Sequence, residues 1–330
     1  MTYGVGCVRL LKFLLVLAIL AAAAVGFYVF LPYGPSSETF VDIVPGIGTA
    51  GAAEQLQRAG IIRSKFAFET LKTFKNGSLK AGEYRFDHRA SLLEIYSRLH
   101  RGDVYTLTLV IPEGYNIFDI AQAVATVGLG SQQGFLSAEE QDTELIKRWN
   151  PKATSLEGYL FPDTYKFSRH ATPLQMLTTM TKRFGQQAAR LGLADSDAER
   201  VVTMASLVEK EVHIDSERPV VAGVFENRLA ASMPLQTDPA VIYASLLRGT
   251  WTGVIHQSEL HSDSAYNTYA YPGLPPGPIC NPGVAAIKAA LHPAQTDFLY
   301  FVADAKGETR FARTLQEHDA NVAAYRAAAR

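Results

Sequence analysis

The chain has 330 residues, 48% hydrophobic and 19% charged, with a formal net charge of −1. This fits a folded protein of two domains, or of one large domain with an appendage, and the near-zero charge excludes general nucleic-acid binding, which needs a positive field. Cys7 and Cys280 lie on opposite sides of the first apolar run, so no disulfide is expected between them; His213, His256 and His261 are scattered without HExxH or CxxC spacing, so no metal or other cofactor is expected.

Residues 13–31, FLLVLAILAAAAVGFYVFL, are uncharged. As a helix the run is about 28 Å long, close to the thickness of a bilayer core. Arg9 and Lys12 precede it, and the first acidic residue is Glu38. The positive-inside rule then keeps residues 1–12 in the cytoplasm and exports the rest. The alternative is a cleaved signal peptide, but the run is longer than the usual signal core and ends in large residues. Cys7 precedes the run, which is the wrong place for a lipoprotein cleavage site.

After the linker LPYGPSS, two segments read alike: TFVDIVPGIGTAGAAEQLQRAGI from Thr39 and TLTLVIPEGYNIFDIAQAVATVGL from Thr106. Each is an alternating strand, a turn, an amphipathic helix and a glycine stop. Further on, YRFDHRASLLEIYSRL from Tyr84 aligns without a gap with YKFSRHATPLQMLTTM from Tyr165. The reading is a strand–helix–helix–strand–helix unit used twice, the second copy stretched by an insertion that holds SLEGYLFPD. Gly46, Gly48 and Gly51 spell GxGxxG, the dinucleotide fingerprint. The second copy has Pro-Glu-Gly-Tyr at the same turn, and IIRSKFAFETL reads as a helix where a nucleotide fold needs its next parallel strand. The glycines are read as a turn.

From Ser196 the sequence changes character. Ser196 and Glu199 form a capping-box pattern opening the helix through MASLVEKEV, and SERPVVAGVFENRL follows with Pro219 in its first turn. Projected at about 100° per residue, Val201, Met204, Ala205, Leu207, Val208 and Val212 share one arc. Glu211 falls inside that arc, between Leu207 and Met204, whereas Glu209 and Lys210 fall outside. A carboxylate on a half-buried apolar face loses hydration, so its pKa rises, and a carboxylic acid that keeps its proton at neutral pH can act as a general acid. The alternative is a helix-end glutamate that tilts to solvent or pairs with Arg228. Three loop stretches, SLEGYLFPDTYKF, MPLQTDPAVIY and SAYNTYAYPGLPPGPICNPG, mix aromatic faces with amides and hydroxyls, a combination suited to sugar rings. DFLYFVADAKGETRFART reads as a hairpin turning at Lys306-Gly307.

VTMASLVEKE, RLAASMPLQTDPAVIY, AYNTYAYPGLPPGPICNPG, LYFVADAKGETRFARTLQEHDANVAAY, LEGYLFPDTYKF and LKAGEYRF together resemble the YceG-like family, the endolytic murein transglycosylases, and the resemblance runs from Phe40 to Tyr325. It implies an α+β fold: a cytoplasmic N-terminus (1–12), a single transmembrane helix (13–31), a LysM-like glycan-binding region holding the duplicated unit (38–145), and a mixed α/β transglycosylase domain (146–330) outside the cytoplasm. It implies a lyase that cuts peptidoglycan strands internally between N-acetylmuramic acid and N-acetylglucosamine, leaves 1,6-anhydromuramic ends and so terminates strand elongation. The essential glutamate of such proteins, the second of EKE, corresponds to Glu211. GYLFPD departs from the family pattern where relatives carry Trp, which alters sugar stacking but leaves Glu157. The implied partners are glycan strands, the inner membrane and, as a class, peptidoglycan synthases, with no nucleic acid.

Glu157, Gln236, Tyr266 and Asn267 are candidates for orienting the glycan or stabilising oxocarbenium-like charge. Each has a structural alternative: Glu157 as a loop cap, Gln236 as a tie for the turn before Asp238-Pro239. Two other function classes stay open, a non-enzymatic wall-binding scaffold and a hydrolytic muramidase with Glu157 as its second carboxylate.

Overall fold

The computed structural model describes residues 3–212, 214–304 and 307–328; His213 and Lys306 lie outside these, as does the side chain of Cys7. The chain forms two compact units, divided between Leu107 and Thr108. It is a mixed α/β protein in which the described strands pair into two-stranded sheets.

The first unit opens with α1 (Tyr3–Val25), continued by a π-helical turn over Gly26–Phe30. Within it Arg9–Phe30 is long and apolar enough to cross a membrane. Then come β1 (Thr39–Ile43), α2 (Gly48–Arg58), α3 (Lys65–Lys75), β2 (Gly82–Phe86) and α4 (Leu92–Arg101). β1 and β2 pair antiparallel, with Val41 opposite Tyr84. That antiparallel pair is incompatible with a nucleotide-binding βαβ crossover, and Gly46 and Gly48 serve a turn at φ of 82° and 72°. α4 shows why its sequence is helical: Ser91 caps it by accepting the Glu94 N–H, and Gly102 ends it in the left-handed region. Between these stops Leu92, Ile95, Tyr96 and Leu99 recur at helical spacing and are all buried. They pack with Val41, Leu56 and Phe68 in one core, each such side chain contributing roughly 1.5–3 kcal/mol.

The second unit repeats the order. β3 (Leu107–Val110) is followed by α5 (Ile117–Val127) and α6 (Gln132–Gln141), then β4 (Thr164–Phe167) and α7 (Pro173–Leu191). β3 pairs with β4. The gapless alignment of the two copies is echoed in detail. Ser91 and Thr172, which align, are both helix caps. Tyr84 and Tyr165, which also align, each donate a hydroxyl hydrogen bond to the carbonyl four residues back, Lys80 and Phe161. The insertion of the second copy folds over Trp149, whose ring meets Phe184 edge-on at 4.9 Å, with Tyr159 5.0 Å from Phe184.

The rest is largely helical: α8 (Ala198–Glu211), α9 (Arg218–Ala230), α10 (Asp238–Leu247), the short α11 (Gln257–Leu260) and α12 (Val284–Leu291), then the antiparallel pair β5 (Tyr300–Ala303) and β6 (Thr309–Ala312), and α13 (Leu315–Ala328). Pro219 does sit in the first turn of α9. The Ser196/Glu199 capping box does not form. A 3₁₀ turn over Asp195–Asp197 leads into α8, and Asp197 stands at its cap without a side-chain bond. MPLQTDPAVIY is not a loop throughout, because α10 takes over at Asp238 with Pro239 in its first turn.

Candidate active site

α8 is the axis of the second unit and packs against α9, α10 and α12. It is therefore buried nearly all round, and the contrast drawn by the helix projection fails: Glu209, projected outside the apolar arc, is 7% exposed, while Glu211 is only part-buried. Single-helix geometry cannot register how many helices pack around α8.

The two glutamates are held in different ways. Glu209 is locked. Its Oε1 forms an ion pair with Arg218 at 3.0 Å, both side chains 6% exposed, and its Oε2 accepts the Gly283 N–H at 2.9 Å. Arg218 also donates from Nε to Asp215 at 3.0 Å. Gly283 immediately precedes α12, so the carboxylate lies at the positive end of that helix. Glu113 lies over the same turn, bonded by the Val284 N–H. A Cβ on residue 283 would stand 1.8 Å from Glu113 Oε1, so a larger residue there would displace that carboxylate.

The side chain of Glu211, the last residue of α8, makes no hydrogen bond or ion pair among the described residues. Burial first, then the charge of Asp238, push its carboxyl up to about 7, against the opposing pull of Arg228. Its place at the negative end of α8 acts in the same direction. The group keeps some solvent contact, yet the protein packed around it removes most of its hydration; loss of hydration, not complete enclosure, sets its pKa. Arg228 does not pair with it. Its guanidinium donates to the carbonyls of Leu299 (2.7 Å), Leu235 (2.8 Å) and Pro234 (3.2 Å) and lies 5.2 Å over the Tyr300 ring. Arg228 thus fixes the turn that carries Gln236.

Gln236 is exposed and adopts φ 55°, uncommon for a side-chain-bearing residue. Its N–H donates to Thr268 O at 3.0 Å, and the Thr237 N–H donates to the Thr268 hydroxyl at 2.9 Å. Next in sequence, Asp238 is exposed and accepts the Tyr269 hydroxyl at 2.7 Å. Asp238, Arg228 and Tyr269 are thus gathered electrostatically around Glu211.

Glu157 is 3% exposed and bonded on both oxygens: Oε2 accepts the Ile117 N–H at 2.9 Å and Oε1 the Asn281 amide at 2.8 Å. Burial pushes its pKa up to about 8, against the Ile117 and Tyr243 hydrogen bonds. The Tyr243 ring meets Tyr266 at 5.2 Å. Gly158 beside it requires glycine, because its φ is 86° and a Cβ there would lie 2.4 Å from Pro278 and 2.8 Å from Val202. Asn267 is fully buried and occupied within its own loop, donating to Leu260 O and Ser262 O and accepting the Tyr269 N–H.

The candidate residues therefore fall into two groups: Gln236 sits between Arg228 and Asp238, whose charges act on Glu211, and Tyr266 packs on Tyr243 within reach of the Glu157 charge. They are linked because α10 carries both Asp238 and Tyr243 and one loop carries both Tyr266 and Tyr269. Sequence reasoning missed Asp238, whose only signal was a carboxylate inside a quoted motif, and Asn281, whose amide joins residues 115, 157 and 160. A part-buried acid with a pKa near neutrality, beside a second carboxylate and polar-aromatic loops, defines a candidate general acid–base site of an α+β protein.

The YceG-like family profile matches residues 41–324. The endolytic murein transglycosylase of Bacillus subtilis (strain 168) is 34% identical over 87% of this chain and 85% of its own length. That of Streptococcus pneumoniae serotype 2 is 31% identical over 95% of this chain and 64% of its own, so the chain spans less than two thirds of the streptococcal protein. A crystal structure of a YceG-like protein from Listeria monocytogenes, 32% identical, superposes with a TM-score of 0.58 over 87% of this chain and 99% of that one. The chain belongs to the YceG-like family.

The raised pKa of Glu211 has a stability consequence. Its folded value of about 7 exceeds the ordinary carboxylate value of 4.5. Between these values the folded state holds the proton more tightly. The associated stability is complete below about 4.5 and is lost as pH rises through about 7. Glutamine at 211 cannot ionise. Thermal melts from pH 5 to pH 8 should shift the stability difference in favour of Glu211→Gln by on the order of 1–3 kcal/mol. A difference that does not change with pH contradicts the raised value.

Proposed function

We propose that this protein is a membrane-anchored endolytic lytic transglycosylase of peptidoglycan, with Glu211 as its proton-transfer group. The observation that carries the reading is the Glu211 carboxyl, unpaired among the described residues and poised near pH 7, in a chain of this family. In the proposed step the muramic C6 hydroxyl attacks its own C1, and the bond from C1 to the N-acetylglucosamine O4 breaks. Glu211 gives its proton to O4 and then takes the proton of the C6 hydroxyl, so no water enters and the enzyme ends as it began. Asp238 and Tyr269 are proposed to offset positive charge at C1, and Gln236, Tyr266 and the neighbouring loops to orient the sugars. Glu157 and Asn267, both enclosed, serve by holding those loops.

A hydrolytic muramidase with Glu157 as its second carboxylate needs that group to reach water, and the enclosure of Glu157 argues against that form of the alternative. Residues 38–145 are proposed to hold glycan in a LysM-like manner, with catalysis in residues 146–330. Residues 13–31 are proposed as a retained single-pass anchor with residues 1–12 in the cytoplasm, which brings the chain to nascent strands and to peptidoglycan synthases. Incubation of the full chain with long, unlabelled glycan strands should shorten them internally and generate 1,6-anhydromuramic ends, detected by mass analysis. Binding without shortening would leave the scaffold reading in its place.

A further inference from the structure

α3 buries Phe68 but turns other aromatic residues outward: Phe66 is 70% exposed and Phe74 84%. With Thr70 they lie at i, i+4 and i+8, on one stripe of the helix. Exposed aromatic rings on a single stripe call for a partner surface. The surroundings identify it, because Phe66, Leu71 and Phe74 line one groove, of about 610 Å³, together with Val25, Tyr28 and Phe30 from the end of the apolar helix. Arg63, two residues before α3, fixes that proximity. Its guanidinium donates to the carbonyls of Phe27 (3.2 Å), Leu31 (2.7 Å) and Pro32 (3.3 Å), which end the apolar segment. The same group lies over the rings of Phe27 (4.6 Å) and Tyr33 (4.7 Å). The backbone groups that a helix leaves unsatisfied at its end are thus bound to the folded unit. Phe27, Tyr28, Phe30 and Tyr33 make the aromatic band expected at a membrane boundary. α3 also carries Lys65, Lys72 and Lys75 against the single Glu69, a balance suited to anionic headgroups.

We infer that the outer stripe of α3, Phe66 and Phe74, is a membrane-docking surface seated in the headgroup layer of the same bilayer that the apolar helix enters. The inference rests on residues 13–31 being a retained span. With that span in the bilayer, the shared groove and the Arg63 clamp set Phe66 and Phe74 at the depth of Phe30. The first unit is then held against the membrane by two attachments and does not swing on a linker.

The test uses the full chain reconstituted in phosphatidylglycerol-containing vesicles, with brominated lipids as quencher. Three single variants, Phe30→Trp, Phe66→Trp and Phe74→Trp, are read against the parent, whose own tryptophans give the baseline. All three positions are exposed, so the substitutions leave the cores untouched. Quenching of the added fluorescence by about twofold or more is expected at all three positions, because an interfacial face sits within roughly 5–10 Å of the acyl boundary. Quenching at 30 with none at 66 and 74 overturns the docking surface and leaves the anchor standing. Blue-shifted but unquenched emission at 66 and 74 assigns the stripe to a protein partner and also overturns it. No quenching at 30 removes the anchor and the inference together.

Discussion

Replacing Glu211 with glutamine is expected to lower the rate of glycan cleavage by about 10⁴-fold, the upper end of the range for general acid–base catalysis. One residue performs both proton transfers in the proposed mechanism, so its loss is felt twice. Glutamine keeps the shape and one accepting oxygen, and Glu211 holds no partner among the described residues whose loss would disturb the fold. Glycan binding and a cooperative melting transition should therefore be retained, apart from the pH-dependent stability difference set by the raised pKa of Glu211. A folded Glu211→Gln protein that still generates anhydro ends within about tenfold of the parent rate contradicts the assignment, since even a modest general acid is worth about 10²-fold.

The largest effect on stability is expected at Arg218. Its removal strands Glu209, which is 7% exposed, opposite the Gly283 N–H at the start of α12. Breaking one side of a buried ion pair typically costs about 3–5 kcal/mol. Arg218→Ala should therefore lower the urea midpoint markedly, and Glu209→Gln in the same chain should restore part of the loss, because the amide oxygen still accepts the Gly283 N–H without a charge. A loss below about 1 kcal/mol in the single variant, the worth of a solvated surface pair, would mean that Glu209 finds water.

Much of this arrangement could be read from the chain, and the failures share a cause. Elements governed by local chemistry were legible: the α4 stripe between Ser91 and Gly102, the early proline of α9, the repeated Tyr84 and Tyr165 segments and the β5–β6 pair. So was Glu211 as a carboxylate short of water. What a single helix cannot show is the number of helices packed on it. Glu209 looked outward until α12 and Arg218 were in place. Asp238 lies 27 positions from Glu211, and Asn281 lies 124 from Glu157, so neither neighbour carries a local signal. The missed capping box is smaller in kind: an acidic 3₁₀ turn at Asp195–Asp197 used the same residues differently.

The most direct measurement of the central claim is digestion of peptidoglycan by the full chain in oxygen-18 water, with mass analysis of the new muramic ends. Closure by the sugar's own C6 hydroxyl predicts 1,6-anhydro ends that carry no heavy oxygen, absent when Glu211→Gln replaces the parent. Reducing ends labelled with heavy oxygen at C1 would mean that water, not the sugar, completes the reaction, and would contradict the account.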